Sequence, residues 1–443
     1  MRIYMFHLMP WPHLPADFAQ THDTAWVVCE NALYDAERGH EVYNRYLDEL
    51  ELADQLGFDG VCVNEHHQNA YGLMPSPNIM AACLARRTTR AKLVILGNVL
   101  TLYDHPLRVA EEIAMLDVIS GGRVVSGQVV GTGNEFFSYN VNPTYARERF
   151  YEAHELIVKA WTEPGPFPWE GTHYRFRYVN VWPRPFQKPH PPIWIPGSGS
   201  RETIDWVAKK RFTYMVLPTL APYALRAATA EAFRAACERE GYTARHEQIG
   251  WGIGVYVAES DARAVQEYEP HFWYYAKNLL RNRETFNSPP GHSSVQSTLG
   301  VLAARSKGRP GNFNSWEEIQ KGGFVVVGSP ATVRDRLTEI ATHTGLGTLI
   351  PNFSVGNVPH HLTRKSVELF AREVMPHLRG VNVDPPADGG AYPRPDTRRG
   401  ATDAAGDRRR GLHRQPHRPG VAGRRPRGRR LRRPQRGPPR GRA

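Results

Sequence analysis

Short apolar segments alternate with helix-like segments along the first 380 residues, and this alternation constrains the fold more than any other feature. Eight of the apolar segments have the length of strands, and a helical pattern follows each of them. The predicted strands lie at residues 2–8, 59–64, 92–99, 123–130, 193–195, 212–217, 248–258 and 348–350. Parallel β/α units of this number favour a (β/α)8 TIM barrel of the α/β class. A doubly wound sheet is the alternative, but the glycine fingerprint expected after its first strand is absent.

Two long insertions interrupt the alternation. Residues 162–192 are rich in proline and aromatic residues, and residues 259–323 form a second insertion that we expect to be partly helical. Loops of this length over a barrel are commonly functional, because they can exclude water from a reaction. We therefore expect residues 1–380 to form one barrel domain whose open end is shaped by both insertions.

The chain after residue 380 has a different composition. Residues 381–443 contain 18 Arg, no Lys and 5 Asp, a charge of +13, which leaves about −1 of the total +12 for residues 1–380. A segment with so few apolar residues cannot offset its conformational entropy, so we predict a disordered tail. A solvated low-complexity tail, binding to RNA or an acidic surface, and translation out of frame remain open. Because residues 1–380 are nearly neutral, the basic composition gives no support for nucleic acid as their partner.

The distribution of cysteines and apolar residues bears on the cellular location. Cys29, Cys62, Cys83 and Cys237 show no CxxC spacing, which argues against a disulfide framework or a zinc ribbon. The apolar start of the chain is short and soon broken by prolines, unlike a signal peptide. No run approaches the ~20 apolar residues that a membrane helix needs. These observations predict a soluble cytoplasmic protein without a membrane partner.

An acid and two histidines, Glu65, His66 and His67, follow the second predicted strand. In a parallel barrel this is the carboxyl end, where side chains meet ligands. Imidazole transfers protons near neutral pH, so the triplet indicates a catalytic site with His66 and Glu65 as candidates. The alternative is a pair of histidines that only bond the edge of the sheet. Adjacent histidines point apart, and adding His7 still makes a poor three-ligand set, so we expect no metal.

A glycine- and serine-rich loop, Gly197, Ser198, Gly199 and Ser200, separates the fifth predicted strand from a helix. Backbone N–H groups and hydroxyls at a helix N-terminus can bind a phosphate, and barrels often place that site on late loops. A plain serine N-cap beside a glycine turn is the alternative. Residues 131–134 contain a second Gly-x-Gly, which lacks the third glycine of a dinucleotide site.

Several segments together resemble the bacterial luciferase-like monooxygenase family. They begin with the Glu65–His67 triplet and its flanks, and their order and spacing match the family over about residues 1–380. The matching segments are residues 63–67, 71–77, 100–112, 116–123, 328–330 and 369–376.

The resemblance implies a flavin-dependent monooxygenase on a (β/α)8 barrel. Members of the family take reduced FMN, usually from a separate flavin reductase, and react it with O2 to a flavin hydroperoxide that oxygenates a small organic substrate. Relatives commonly pair, so the resemblance implies a homodimer. Some relatives instead use the deazaflavin F420 for hydride transfer, which is the alternative function. A non-catalytic partner subunit is a third possibility, although an inert copy would not need the Glu-His-His triplet.

The resemblance also implies roles for individual residues. His66 matches a histidine implicated in catalysis, and Asn98 matches a position lining the flavin ring, where a non-prolyl cis peptide is often found, here between Gly97 and Asn98. Ser198, Gly199 and Ser200 match the phosphate-binding loop, and Tyr151 is a further flavin contact. Luciferase has a phosphate-binding arginine where this chain has Val130, Gly131 and Thr132, so the details of anion binding differ here.

Overall fold

The structure is a computed structural model, and it describes residues 1–217, 221–283 and 315–381 together with residues 286, 289–292, 294–296, 298 and 299. The predicted disordered tail therefore lies outside the described residues, apart from Val381. Among the helices that are described, none has the length and apolar character needed to cross a membrane.

Eight parallel strands close into a barrel, as predicted. They are β1 (Arg2–Phe6), β2 (Gly60–Val63), β3 (Lys92–Val99), β4 (Val124–Val129), β7 (Ile193–Gly197), β8 (Thr213–Val216), β9 (Ile249–Val257) and β11 (Thr348–Asn352). The order around the ring is β1-β2-β3-β4-β7-β8-β9-β11. Arg2 pairs with Thr348 and Tyr214 pairs with Ile249, so the first strand meets the last and the ring has no gap.

A ninth parallel strand, β10 (Val325–Gly328), lies beside the barrel and was not predicted as a strand. Within the described part of the chain, its pairing partner is the second half of β9, where Val325 lies opposite Gly254. The first half of β9 pairs with β8 and β11 and so belongs to the ring. The nine residues of β9 are enough to hold a barrel neighbour at one end and an additional strand at the other.

Helices surround the barrel and connect its strands. The described helices are α1 (Phe18–Thr21), α2 (Ala36–Gln55), α3 (Pro77–Arg87), α4 (Leu107–Ile119), α5 (Gly133–Ser138), α6 (Ala146–Thr162), α7 (Arg201–Lys210), α8 (Tyr223–Arg239), α9 (Asp261–Tyr274), α10 (Trp316–Lys321), α11 (Pro330–Thr344), α12 (His360–Leu369) and α13 (Met375–Arg379). π-turns at Tyr275–Leu279 and Phe370–Val374 extend α9 and α12.

Local sequence explains why these elements begin and pack as they do. Helix α3 begins at Pro77, and Ser76 before it accepts a hydrogen bond from the Ile79 N–H, which is the pattern of an N-capped helix. Every residue of β3 from Leu93 to Val99 is buried. The continuous apolar run predicted such a strand, because helices cover one face of a barrel strand and other side chains fill the interior.

The two predicted insertions lie in different kinds of connection: the first follows α6 and precedes β7, an αβ connection, whereas the second lies in the βα connection after β9. The first contains an antiparallel hairpin, β5 (Phe167–Glu170) and β6 (Arg175–Val179), in which Trp169 pairs with Phe176. The second contains α9, its π-turn and α10, which agrees with the expected partly helical character. Its remaining described residues include Phe286 and residues 289–292, which reach the carboxyl end of the barrel strands at α5.

Candidate active site

Glu65 fixes the segment that follows β2. Its side chain is buried, and Oε2 accepts hydrogen bonds from the Val99 N–H at 2.9 Å and from the Tyr103 hydroxyl at 3.2 Å. Oε1 lies 2.7 Å from His67 Nε2. Oε2 therefore joins the end of β2 to the end of β3, while Oε1 holds His67 within the same segment.

His67 belongs to the same buried network. Its Nδ1 lies 2.9 Å from the hydroxyl of Tyr139, the residue that ends α5, while Nε2 faces Glu65. Only 5% of the side chain is exposed. With partners on both ring nitrogens, His67 joins α5 to the end of β2.

His66 points away from His67 and is the more open of the two, with 15% of its side chain exposed. Its Nδ1 lies 3.1 Å from Oε1 of Glu135. The edges of its ring meet Trp26 and Tyr71, at centroid distances of 5.4 and 4.9 Å. Among the residues that the structure describes, His66 Nε2 has no hydrogen-bond partner. The two histidines thus diverge as expected, although both lie just beyond the strand.

Glu135 is a further functional candidate, and it was not predicted from the sequence. It occupies the third position of α5, where its carboxylate accepts hydrogen bonds from the backbone N–H and the hydroxyl of Thr132. Burial by itself would raise the pKa of Glu135, but the hydrogen bonds from His66 and Thr132 hold that pKa below its ordinary value. The spacing Thr132-x-x-Glu135 is a capping-box pattern that could have indicated this acid at the carboxyl end of β4.

His7, the other histidine considered for a metal, lies in a separate network. It is fully buried, with Nε2 2.9 Å from Glu49 Oε2 and Nδ1 accepting from the Met9 N–H. Burial lowers the pKa of His7, which favours the neutral ring. Within the described part of the chain, no group of three His, Cys, Asp or Glu side chains could hold a metal ion.

Asn98 lies near the triplet, but the cis peptide is not where it was predicted. The non-prolyl cis bond joins Leu96 to Gly97, one residue before the expected Gly97–Asn98 bond. Asn98 is fully buried, and its amide nitrogen donates to Glu65 at 3.4 Å and to Asn78 at 3.2 Å. Its side-chain oxygen is buried without a partner in the described residues. That oxygen is an acceptor suited to a bound donor group.

The glycine- and serine-rich loop forms a small cradle between β7 and α7. Gly199 has φ +102°, and a Cβ added there would lie 3.1 Å from Oγ1 of Thr229. The Gly199 N–H already donates to the Tyr214 hydroxyl at 3.0 Å. An anion would therefore rely on the exposed Ser198, on Ser200 and on nearby side chains.

An arginine lies beside this loop, although the residues directly after β4, Val130 to Thr132, include no cation. Arg147, in the first turn of α6, donates from Nη1 to Oγ1 of Thr203 at 3.1 Å. The same Thr203 oxygen accepts from the Ser200 hydroxyl at 2.8 Å. Arg147 thus places a guanidinium next to the loop, and no sequence motif pointed to it.

Tyr151 is not among the residues that surround His66. It lies half-buried on α6, and its ring packs beside Trp206 of α7 at a centroid distance of 5.1 Å. The proposed flavin contact of Tyr151 stays a prediction. The structure therefore gathers Glu65, His66 and Asn98 into one cluster and places Tyr151 among the outer helices.

The second insertion covers the cluster. Asn282 donates to the side-chain oxygen of Asn134 at 2.8 Å, and Phe286 packs against Phe137 at a centroid distance of 4.9 Å. The hydroxyls of Tyr275 and Tyr71 lie 3.3 Å apart. Tyr71 in turn stacks on Trp26, so an aromatic wall extends from the insertion to His66. Such a wall excludes water from one side of the imidazole.

Comparisons with known proteins point to one family. A family model described as luciferase-like monooxygenase matches residues 20–347. The oxygenase component of a flavin-dependent trigonelline monooxygenase from Acinetobacter baylyi is 29% identical over 166 residues, which cover 36% of this chain and 45% of that protein. The chain spans about half the length of the first curated relatives it matches.

Solved structures show the same fold. Monooxygenase RslO1 from Streptomyces bottropensis superimposes with a TM-score of 0.65 at 25% identity, covering 85% of this chain and 100% of that one. The oxygenating constituent of 3,6-diketocamphane monooxygenase from Pseudomonas putida, solved with FMN, gives 0.62 at 16% identity, with coverages of 85% and 98%. An F420-dependent reductase from Methanopyrus kandleri gives 0.56 at 18% identity, with coverages of 76% and 95%.

Proposed function

Because the chain belongs to the luciferase-like monooxygenase family, we propose that it uses reduced FMN and O2 to oxygenate a small organic substrate. A separate flavin reductase supplies the reduced FMN in this proposal. The relative that is named as an oxygenase component supports a system of two separate proteins, an oxygenase and a reductase. A homodimer and a cytoplasmic location are further parts of the proposal, and the four free cysteines are consistent with a reducing compartment.

The observation that carries the proposal is the environment of His66. Glu135 holds Nδ1, which fixes the orientation of the ring and favours the tautomer with the proton on Nδ1. Nε2 is then the atom that can accept a proton and return it, within reach of the barrel mouth. In this reading Glu65 acts as a positioning residue, since both of its oxygens hold the protein backbone and neighbouring side chains in place.

The chain's residues fit a phosphorylated flavin. Ser198, Ser200 and Arg147 would hold the phosphate, and Arg147 would replace the arginine that this chain lacks after β4. The unpartnered oxygen of Asn98 would accept from a donor group on the ring system. Reduced flavin, when bound, supplies the electrons that activate O2.

Hydride transfer with F420 is the alternative, because F420-dependent enzymes share this fold. The two are separated by anaerobic titration of the purified protein with reduced FMN and with F420, followed by mixing with 18O2. Tight binding of reduced FMN and 18O in an organic product support the oxygenase. Selective binding of F420, with turnover that needs no O2, would replace it with the alternative.

A further inference from the structure

One buried arginine, on the helix that follows β8, has no role in the site described above. Arg226 lies in the first turn of α8, and only 2% of it is exposed. Its Nε and Nη1 atoms are buried without a hydrogen-bond partner. In the described residues it makes no ion pair with a carboxylate. Burial lowers the pKa of Arg226 to about 10, so the guanidinium remains charged at neutral pH.

Arg226 lies near two parts of the candidate site: the aromatic wall beside His66 and the glycine- and serine-rich loop. The guanidinium lies within electrostatic range of the Tyr275 side chain, whose hydroxyl lies 3.3 Å from that of Tyr71, and Tyr71 meets His66. One turn further along α8, Thr229 packs against Gly199 of the glycine- and serine-rich loop. Arg226 therefore lies between the aromatic wall beside His66 and that loop.

A buried guanidinium without a counter-ion is costly, and proteins rarely keep one unless it binds an anion. Its planar donors match the oxygens of carboxylates, sulfonates and phosphates. Arg147 already lies against Thr203 and Ser200, so the loop has a cation of its own and Arg226 remains for a further charge.

We propose that Arg226 binds an oxyanion group of a ligand in the barrel mouth. The proposal rests on the proposed function in taking the mouth as the ligand site. Two ligands can carry such a group: an acidic organic substrate, through its carboxylate or sulfonate, and the flavin, through its phosphate. The first would make this enzyme specific for anionic substrates, and the second would give the phosphate a second arginine.

The test compares the wild-type protein with Arg226→Met, which keeps the length and apolar volume of the side chain. Benzoate and benzenesulfonate probe an organic anion, and FMN against riboflavin probes the phosphate. Thermal shift and calorimetry measure binding, and neither readout needs turnover. We expect the wild type to bind one probe class at least about 30-fold more tightly than the variant.

Each outcome has a defined meaning. Loss of benzoate or benzenesulfonate binding assigns the substrate's anion, and loss of the preference for FMN over riboflavin assigns the phosphate. Equal affinities of both proteins for all four probes would overturn the proposal. If Arg226→Met loses affinity for one probe class and the wild-type protein incorporates no 18O into any product, the oxygenase function fails while the anion site is supported.

Folding is controlled within the same experiment. Removing an unpaired buried charge should leave the ligand-free melting temperature unchanged or raise it. A clear drop, with anion responses intact, would show that Arg226 has a structural partner and would also overturn the proposal. Arg239→Met, on the same helix at an exposed position, is the matched control and should leave all four affinities unchanged.

Discussion

At the scale of residues, two neighbouring histidines of the same chemical type have different surroundings. His67 has partners on both ring nitrogens and is buried, whereas His66 has one anchored nitrogen and one open nitrogen. The family resemblance singled out His66, but the local sequence gave no physical reason for the difference. The distinction depends on Tyr139 and Glu135, which lie about 70 residues further along the chain.

This difference gives a prediction for the pair. His66→Ala should cut turnover by ~10²–10⁴-fold while leaving FMN affinity nearly unchanged, because a general acid–base group contributes about that much. His67→Ala should instead lower the melting temperature, because it leaves Glu65 Oε1 and the Tyr139 hydroxyl without their partner. Steady-state kinetics, FMN titration and thermal melts on both variants measure this, and equal turnover of His66→Ala and wild type would refute the proton-transfer role.

At the scale of elements, the loop between β7 and α7 and the insertion over α5 shape the site. The loop provides hydroxyls at a helix N-terminus, and Arg147 from a different helix adds the charge. A parallel barrel brings such distant elements together because all its strands end at the same rim.

The loop yields a prediction for cofactor binding. The double change Ser198→Ala and Ser200→Ala should weaken FMN about 10-fold or more and riboflavin much less, because hydrogen bonds to a charged group are the stronger ones. Fluorescence titration with both flavins measures the difference. Ser329→Ala is the control, since Ser329 precedes α11 after β10 and its hydroxyl donates to a threonine three residues further on, as that of Ser200 does. Equal weakening of both flavins would place the phosphate elsewhere.

The insertion yields a prediction based on space. A Cβ at Gly133 would lie 1.9 Å from the carbonyl oxygen of Phe286, so Gly133→Ala must displace the insertion from α5. We expect a loss of about 1–3 kcal/mol in the free energy of unfolding and faster proteolysis within the insertion. Gly380→Ala is the control, because the nearest atom to its added Cβ is 3.5 Å away. If both variants melt and digest like the wild type, the insertion does not pack there.

At the scale of the whole molecule, a hydrogen-bonded cluster around the buried Glu49 joins the first strand to a helix near the end of the described chain. Glu49 of α2 accepts from His7 after β1 at 2.9 Å, from Arg45 at 2.9 Å, and from His360 of α12 at 2.8 Å. Burial by itself would raise the pKa of Glu49, but the hydrogen bonds from His360 and His7 bring it to about 2. The cluster therefore stabilises the closure between the first strand and the last helices.

The sign of the pH dependence follows from that shift. Because the pKa of Glu49 is lower in the folded chain than its ordinary 4.5, its stabilisation is complete above about pH 4.5 and is lost as the pH falls towards 2. Glu49→Gln should cost about 3 kcal/mol at pH 7 and remove part of the acid sensitivity. Urea unfolding at several pH values measures both effects.

The control is Glu51→Gln on the same helix. Glu51 pairs with Arg87 at the surface, so this change should alter the free energy of unfolding by less than about 1 kcal/mol. If the difference in the free energy of unfolding between Glu49→Gln and the wild type does not change from pH 7 to pH 3, the assignment is contradicted.

Local patterns in the sequence were enough to predict the eight barrel strands, both insertions and the Glu-His-His triplet. Strand and helix periodicities are local properties, since they reflect which face of each segment is buried. The β-branched run Val325–Val327 is locally typical of a strand, but the eight strands already predicted complete a barrel, so an additional strand beside β9 was not expected. The cis peptide was predicted one residue too late in the chain. A family resemblance locates the segment that contains such a bond, but it does not identify the exact peptide bond.

Which side chains meet in the site depends on the tertiary structure. It placed Glu135 on His66, Arg147 at the loop and Arg226 without a counter-ion, and none of these relations is encoded in a spacing along the chain. Hydrogen bonds and charge pairs depend on distances through space. Folding sets those distances by closing the barrel, so the chemistry of the mouth follows from the closure and cannot be read from any one segment.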